Sequence, residues 1–297
     1  MNNPYKIDGP ALISFSGGRT SAFMLRQILD AHGGTLPDDI HVVFANTGKE
    51  MPETLDFVQE CSDRWNVPVV WLEWRDAPAP KKGFPDQRFE IVNHNSAARN
   101  GEPFKALIDK REYLPNPISR ICTADLKVKT MQRFMKNKYP EAKTKDGWGN
   151  VVGLRYDEMH RVSRLHGDND LRMGCECHYT PLADAKVTKL TVKAYWDAAE
   201  FDLRLENVNG VTPLGNCDLC YLKGAATIAG IIRDRPELAE WWAEAEAEAE
   251  ARASKPGGAM FRKDRPSYRR MIDNSKSQGD LLADMPDDNT IPCMCTD

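Results

Sequence analysis

Three groups of residues in this chain have the types and spacing to do chemistry. The first is a glycine loop, Ser14-Phe15-Ser16-Gly17-Gly18-Arg19-Thr20-Ser21. An apolar run, Ala11 to Phe15, precedes the two glycines, and a segment with a helical apolar face, Ala22 to Leu29, follows them. Glycines let a ligand approach the backbone closely, and the unpaired N–H groups and dipole of a helix N-terminus favour negative charge. Ser14, Ser16, Thr20 and Ser21 add hydroxyls, so the expected ligand is a phosphate; the plain alternative is an ordinary strand-to-helix turn. The second group is Gly153-Leu154-Arg155-Tyr156-Asp157-Glu158-Met159-His160-Arg161. Its guanidinium groups, Arg155 and Arg161, suit bidentate contact with phosphate or sulfate, unless they only pair with Asp157 and Glu158 at a helix start.

The third group is the cysteines, eight in all. Without a signal-peptide core they are read as cytoplasmic, where metal or redox chemistry explains them better than disulfides. Cys217-Asp218-Leu219-Cys220 is a tight knuckle that presents two thiolates to one centre. Cys122 lies among Arg120, Lys127 and Lys129, cations that favour its thiolate. Cys122, Cys217 and Cys220 are therefore candidate metal ligands, with Cys293 of the terminal Cys293-Met294-Cys295 as a fourth. Cys175-Glu176-Cys177-His178 is compact but lacks a second half at zinc-finger spacing, and Cys61 reads as a core cysteine on a helix.

The elements that must position these groups follow a β-α-β-α-β order. The second strand, Asp39 to Ala45, ends in Asn46-Thr47-Gly48, and a helix begins at Pro52-Glu53. Val67 to Leu72 is a third strand. Such alternation predicts an α/β fold, a mostly parallel twisted sheet with helices on both faces. Ligands of such sheets sit at the carboxyl ends of the strands, so the glycine loop and Asn46-Thr47-Gly48 are expected to line one pocket. Residues 76–118 read as a loop-rich insertion. A helix capped by Thr123 is expected through Phe134, and a strand over Trp148 to Arg155. The division expected is an α/β domain over 1–215 and a helical, cysteine-bearing appendage over 216–297. A net charge of −4 gives no global footprint for nucleic acid, and no apolar run approaches the length of a membrane span.

The loop resembles the Ser-Gly-Gly-x-x-Ser loop of the ATP-pyrophosphatase superfamily, which includes the phosphoadenylyl sulfate (PAPS) reductases. Many ATP-cleaving members have Asp where Thr20 stands. Asn46-Thr47-Gly48-Lys49-Glu50-Met51-Pro52-Glu53-Thr54 resembles the reductases' Asp-Thr-Gly-x-x-x-Pro-Glu-Thr, with Asn46 for the Asp. Gly153, Arg155, Glu158 and Arg161 match Gly-x-Arg-x-x-Glu-x-x-Arg, and Cys217 and Cys220 match a Cys-x-x-Cys. Over residues 11–224 the chain is similar to a PAPS-reductase-like, phage-type member of this superfamily.

That resemblance implies an adenine nucleotide (PAPS, adenylyl sulfate or ATP) held by Ser14, Ser16, Gly17, Gly18, Arg19, Thr20, Ser21, Asn46, Thr47, Gly48 and Gly153. It favours a 4Fe-4S cluster over zinc at the cysteines. It implies a sulfonucleotide reductase in which Arg155 and Arg161 neutralise the sulfate and Cys295 or Cys293 attacks sulfur. A thioredoxin-like electron donor and a homo-oligomer go with that reading. The reductases' terminal Glu-Cys-Gly-Leu-His is absent, so an ATP-dependent iron–sulfur sulfurtransferase acting on nucleic acid is the alternative, and a non-catalytic nucleotide-binding factor a second one.

Overall fold

A computed structural model of the chain describes residues 3–141, 147–167, 176–253 and 259–276. Six strands form one sheet in the order β4-β3-β2-β1-β5-β6. β1 (Ala11–Ser14), β2 (Ile40–Asn46), β3 (Val69–Trp74), β5 (Trp148–Val151) and β6 (Glu176–Tyr179) run parallel, and β4 (Phe89–Val92) is an antiparallel edge on β3. The chain starts in the middle, builds β2, β3 and β4 to one side, then crosses to place β5 and β6 on the other. The strand order therefore reverses between β1 and β5, and the loops leaving these strands part to open a crevice. β6 was not legible in the sequence, because four residues containing Glu176 and His178 carry no apolar run.

The two-residue period of the strands sends successive side chains to opposite faces. Ile13, Val42, Phe44 and Trp71 pack with α1 (Arg19–Ala31), α2 (Pro52–Trp65) and, further on, Val192 and Trp196 of a helix at Lys189–Asp197. Leu12, Val43, Leu72 and Trp148 face the other way, onto Phe134 and Met135. Helices thus cover both faces, as the alternation predicts.

In chain order the remaining helices are α3 (Glu102–Arg111), α4 (Lys129–Lys138), α5 (Met159–Gly167), α6 (Pro181–Asp184), α7 (Lys189–Asp197), α8 (Ala225–Asp234), α9 (Glu240–Arg252) and α10 (Tyr268–Lys276). Thr123 does not cap a helix; it lies inside a π-helical segment, Cys122–Val128, that runs directly into α4. Such widened turns are rare and are frequently found at functional sites.

A second core lies beside the sheet. Phe104, Leu107 and Ile108 of α3 pack with Leu219, Tyr221, Ile228, Trp242, Phe261, Tyr268 and Met271. The segment 76–118 is thus tied to the C-terminal helices through α3. The two cores meet where the loop after β2 touches the cysteine knuckle. Glu50 and Cys217 form an antiparallel bridge, and the Asp218 N–H donates to the Lys49 carbonyl at 2.8 Å. Lys49 Nζ lies 2.9 Å from Asp218 Oδ2, both side chains being at least nine-tenths buried. Trp242 Nε1 and the Leu219 N–H donate to Asp218 Oδ1 at 2.8 and 2.7 Å. Lys49→Met would leave the Asp218 carboxylate buried without its counter-charge. Removing one partner of such a pair costs about 3–5 kcal/mol, whereas replacing both is far milder. Urea unfolding should therefore show Lys49→Met strongly destabilised and Lys49→Met/Asp218→Asn closer to the wild type.

Candidate functional site

The crevice between β1 and β5 is where the glycine loop lies. Gly17 adopts φ +80°, a conformation that side chains disfavour. A Cβ there would stand 2.7 Å from Thr54 Cγ2 and 3.1 Å from Val58 Cγ2, so the loop is pressed against α2. The sequence alone suggests that a side chain at Gly17 would block a phosphate; the structure directs it into α2 instead. Gly18 is the N-cap of α1, with extended backbone and no side-chain capping bond. The first turn of α1 therefore has N–H donors that no cap takes up. Ser16 and Ser21 close the loop on itself: their hydroxyl oxygens are 2.9 Å apart, the Ser16 N–H donates to Ser21 Oγ at 3.2 Å, and Ser21 Oγ donates to the Gly18 carbonyl at 3.0 Å. Ser14 turns toward β5, its hydroxyl 3.1 Å from Asn150 Oδ1.

Arg19 is not turned toward the crevice. Its guanidinium is buried and donates to both carboxylate oxygens of Asp202, to Thr212 Oγ1 at 2.8 Å and to the Leu205 carbonyl at 2.8 Å. The extended segment after α7 is thereby strapped to the start of α1. Trp196 Nε1 adds a bond to the Arg19 carbonyl at 2.9 Å.

The loop after β5 faces the same helix end. Gly153 lies beside α1, where a Cβ would make only an ordinary contact, 3.5 Å from Ser21 Cα. Arg155 Nη1 donates to Thr20 Oγ1 at 3.0 Å, which joins the arginine motif to the glycine loop. Arg155 also meets Asp157 at 3.1 Å and Glu158 at 3.4 Å, and Arg161 pairs with Glu158. The salt-bridged reading of these arginines is thus met, and Arg155 in addition reaches the glycine loop through Thr20.

The Asn46-Thr47-Gly48 turn is held from beneath. Asn46 Nδ2 donates to Glu73 Oε1 at 2.7 Å and to the Ala98 carbonyl at 2.9 Å, and Asn46 Oδ1 accepts from the Gly48 N–H at 3.1 Å. The amide faces two acceptors, so an Asp here would oppose the buried Glu73 carboxylate. This explains why Asn stands where the reductases have Asp. Thr47 donates from its N–H and its hydroxyl to Glu50 Oε2 at 2.9 and 2.8 Å, and its hydroxyl lies 3.4 Å from Cys217 Sγ. Lys127 Nζ stands 3.4 Å from Glu50 Oε1. Glu50, Glu73, Lys49, Asp202 and Asp218 were all missed by sequence reasoning. Glu50 and Lys49 occupy variable places of a motif, and the others carry no spacing signal.

The cysteines are only partly gathered. Cys122, Cys217 and Cys220 all border the second core, and Cys122 Sγ is 3.3 Å from the Tyr221 hydroxyl. Among the described residues, no three Cys, His, Asp or Glu side chains are arranged to hold a metal ion. The described donors therefore do not make the cluster or zinc site that the sequence suggests. Cys175, Cys293 and Cys295 lie outside the described residues; Cys177 is exposed on β6. Cys217 is buried, and burial first, then the nearby Glu50 carboxylate, holds its thiol well above the ordinary range. Burial also pushes the Cys61 thiol up.

Comparison with known proteins agrees with this architecture. Residues 10–113 match the phosphoadenosine phosphosulfate reductase domain. The chain is 28% identical over 232 residues to an uncharacterized nin region protein of Escherichia phage lambda, covering 76% of this chain and 71% of that one. Two uncharacterized proteins of Methanocaldococcus jannaschii are 23% and 22% identical over 82% and 78% of this chain. The matches span 42% and 46% of those archaeal proteins. The family match covers the glycine loop, the Asn46-Thr47-Gly48 turn and α3, while Arg155 and the knuckle lie beyond it. Among the described residues no helix is long and apolar enough to cross a membrane.

Two outcomes are expected of the glycine loop and the buried thiols. Gly17→Ala should lower stability by about 1–3 kcal/mol, from a disfavoured φ and an overpacked contact, and Thr54→Ser should recover part of the loss. Thermal unfolding of the single and double variants checks this. Iodoacetamide at pH 8 should label Cys177 in the folded protein and spare Cys61 and Cys217, as read by peptide mass spectrometry. The unfolded chain ionises its thiols from about pH 8.5, while the fold keeps these two protonated. Their contribution to stability is thus full below that pH and is lost as pH rises toward the folded values.

Proposed function

We propose that this chain binds an adenine nucleotide bearing phosphate or sulfate at the carboxyl ends of β1, β2 and β5, and acts as a sulfonucleotide reductase. The observation that carries the reading is the contact of Arg155 with Thr20 at an uncapped helix N-terminus, in the crevice where strand order reverses. Backbone N–H groups and the dipole of α1 attract the anion, and a guanidinium adds bidentate charge. In this reading Ser16, Gly17, Gly18, Thr20 and Ser21 cradle the phosphate, and Ser14 and Arg19 support the loop from behind. Asn46, Thr47 and Gly48 form a wall, Gly153 lies beside α1, and Arg155 and Arg161 offset the sulfate charge.

The proposed chemistry is thiol chemistry. A thiolate of Cys295 or Cys293 attacks the sulfur of the bound sulfate ester, forming an S–S bond as the S–O bond to the nucleotide phosphate breaks. The nucleotide leaves with that oxygen and its electron pair. A second thiol, from the other cysteine or a thioredoxin-like donor, then attacks the modified cysteine and expels sulfite, leaving a disulfide that a dithiol donor reduces. Labelled PAPS or adenylyl sulfate with thioredoxin should release sulfite; if neither does, this chemistry is wrong.

A second reading uses the same loop and arginines: an ATP-dependent sulfurtransferase acting on nucleic acid. Its signature is pyrophosphate release from ATP that depends on added nucleic acid, which the reductase would not give. A non-catalytic factor would bind nucleotide and turn nothing over. Under either enzymatic reading, Arg155→Ala should weaken binding of the phosphorylated or sulfated nucleotide by about 1.5–3 kcal/mol and leave adenosine binding nearly unchanged. Equal losses for both ligands, measured by calorimetry, would make Arg155 structural.

A further inference from the structure

The segment after β3 and the outer side of α4 carry a concentration of positive charge that the crevice does not use. Residues 110–138 hold eight lysines and arginines against two acids, in a chain whose net charge is −4. Two carboxylates organise this charge. Asp125 is shared by Arg111 and Lys129, at 2.5 and 2.8 Å. Asp86 is shared by Arg88 and Arg133, at 2.5 and 3.6 Å. Arg133 feels both groups, which makes them one cluster of four cations on two carboxylates. Burial first, then repulsion from Arg88, pulls the Arg133 pKa down, and its buried Nη1 has no hydrogen-bond partner among the described residues. The positive charge is thus incompletely neutralised from within. Lys129, Arg133 and Lys136 recur at i, i+4 and i+7 along one side of α4. Lys136, Lys81 and Lys82 are exposed and have no ion pair among the described residues.

An aromatic ring stands beside this charge. Lys81-Lys82-Gly83-Phe84 is a tight turn: Gly83 takes φ +86°, and the Phe84 N–H donates to the Lys81 carbonyl at 3.0 Å. Its root is fixed to α4, because Asn137 Oδ1 accepts from the Asp86 N–H at 2.8 Å and Asn137 Nδ2 donates to the Asp86 carbonyl at 2.9 Å. The turn holds Phe84 70% exposed, two residues from the Asp86 cluster. Surplus cations attract a phosphate backbone, and an exposed ring offers a stacking platform for a base. A membrane surface fits less well, since insertion depends on buried apolar area and Phe84 is the one large apolar side chain of this turn.

We propose that this face binds single-stranded nucleic acid, with phosphates along Lys129, Lys136 and the Lys81-Lys82 turn and a base stacked on Phe84. The inference goes beyond the nucleotide reading and does not rest on it: α4 packs on the opposite face of the sheet from α1.

Fluorescence anisotropy of a labelled oligothymidylate of about twelve residues tests it, on the wild type, Lys82→Ala/Lys136→Ala and Phe84→Ala. All three side chains are exposed and outside both cores, so each variant should keep the wild-type Tm. The double variant should bind at least about tenfold more weakly at low salt, and its plot of log affinity against log salt should be shallower by about 1.4, the share of two phosphate contacts to a single strand. Phe84→Ala should weaken single-strand binding about tenfold with the salt slope unchanged, and should leave binding of a duplex of the same length within about twofold. A wild type that binds neither oligothymidylate nor oligouridylate at low salt overturns the proposal, as do variants that bind like the wild type. Loss in the double variant alone, with Phe84→Ala unaffected and polyglutamate displacing the strand, reduces the face to general attraction for polyanions and also overturns it. Sedimentation with phosphatidylserine vesicles that needs Phe84, without oligonucleotide binding, makes the face a membrane surface and rejects the strand.

Discussion

The buried pair Lys49–Asp218 is the constraint on which the arrangement of this protein depends. It joins two apolar clusters, one on the sheet and one among α3, α8, α9 and α10, that also share Leu214 and Leu238 at their edges. Two opposite charges out of water are tolerated only with good geometry and further bonds to the remaining lone pairs. Asp218 meets that condition through Trp242 and its own turn, and Lys49 lies over the Trp241 ring at 5.0 Å. Because Lys49 follows Gly48 directly, the same pair fixes the turn at the end of β2. The turn after β2 and the knuckle of cysteines are thus held together by this pair along with the Glu50–Cys217 bridge and the Asp218-to-Lys49 backbone bond.

A second set of bonds supports the crevice from beneath. Glu73, at the end of β3, orients Asn46, and Asn46 orients Gly48. Arg19 straps the segment after α7 to the start of α1. These charged side chains are committed to the scaffold, which leaves backbone N–H groups, hydroxyls and Arg155 at the surface of the crevice. Fixed donors on a rigid frame would suit the proposed anion, because they need no reorganisation to meet it. The cysteine knuckle is held in the same manner. Lys223 Nζ donates to the carbonyls of Cys217 and Asp218 at 2.8 and 2.7 Å, the Tyr268 hydroxyl donates to the Leu219 carbonyl at 2.7 Å, and Arg265 donates to the Tyr221 carbonyl.

Much of the sheet was legible because parallel strands buried on both faces read as continuous apolar runs, as in β2. β6 and the edge strand β4 were harder, being only four residues each. The helical segment after Cys122 had the right place and the wrong geometry. Nothing in Cys122-Thr123-Ala124-Asp125 distinguishes a π-turn from an α-turn; packing of Leu126 into the second core and pairing of Asp125 with Arg111 and Lys129 accompany it. The metal set failed among the described residues for a related reason. Cys217 and Cys220 are close in sequence, but whether a third donor joins them is a matter of tertiary placement.

The sequence by itself determined the local devices: the two glycines before α1, the Asn46-Thr47-Gly48 turn, the arginine pair and the order of strands and helices. Each depends on backbone freedom or periodicity, which are properties of neighbouring residues. Only the tertiary structure decided which charges face the crevice and which are absorbed by the scaffold. Arg19 and Arg155 look alike as basic residues near glycines, yet one is buried on Asp202 and the other stands against Thr20. The partners that separate the two, Asp202 and Thr20, lie more than a hundred residues away in the chain, and Coulombic and hydrogen-bond pairing acts through space, so no local pattern records them.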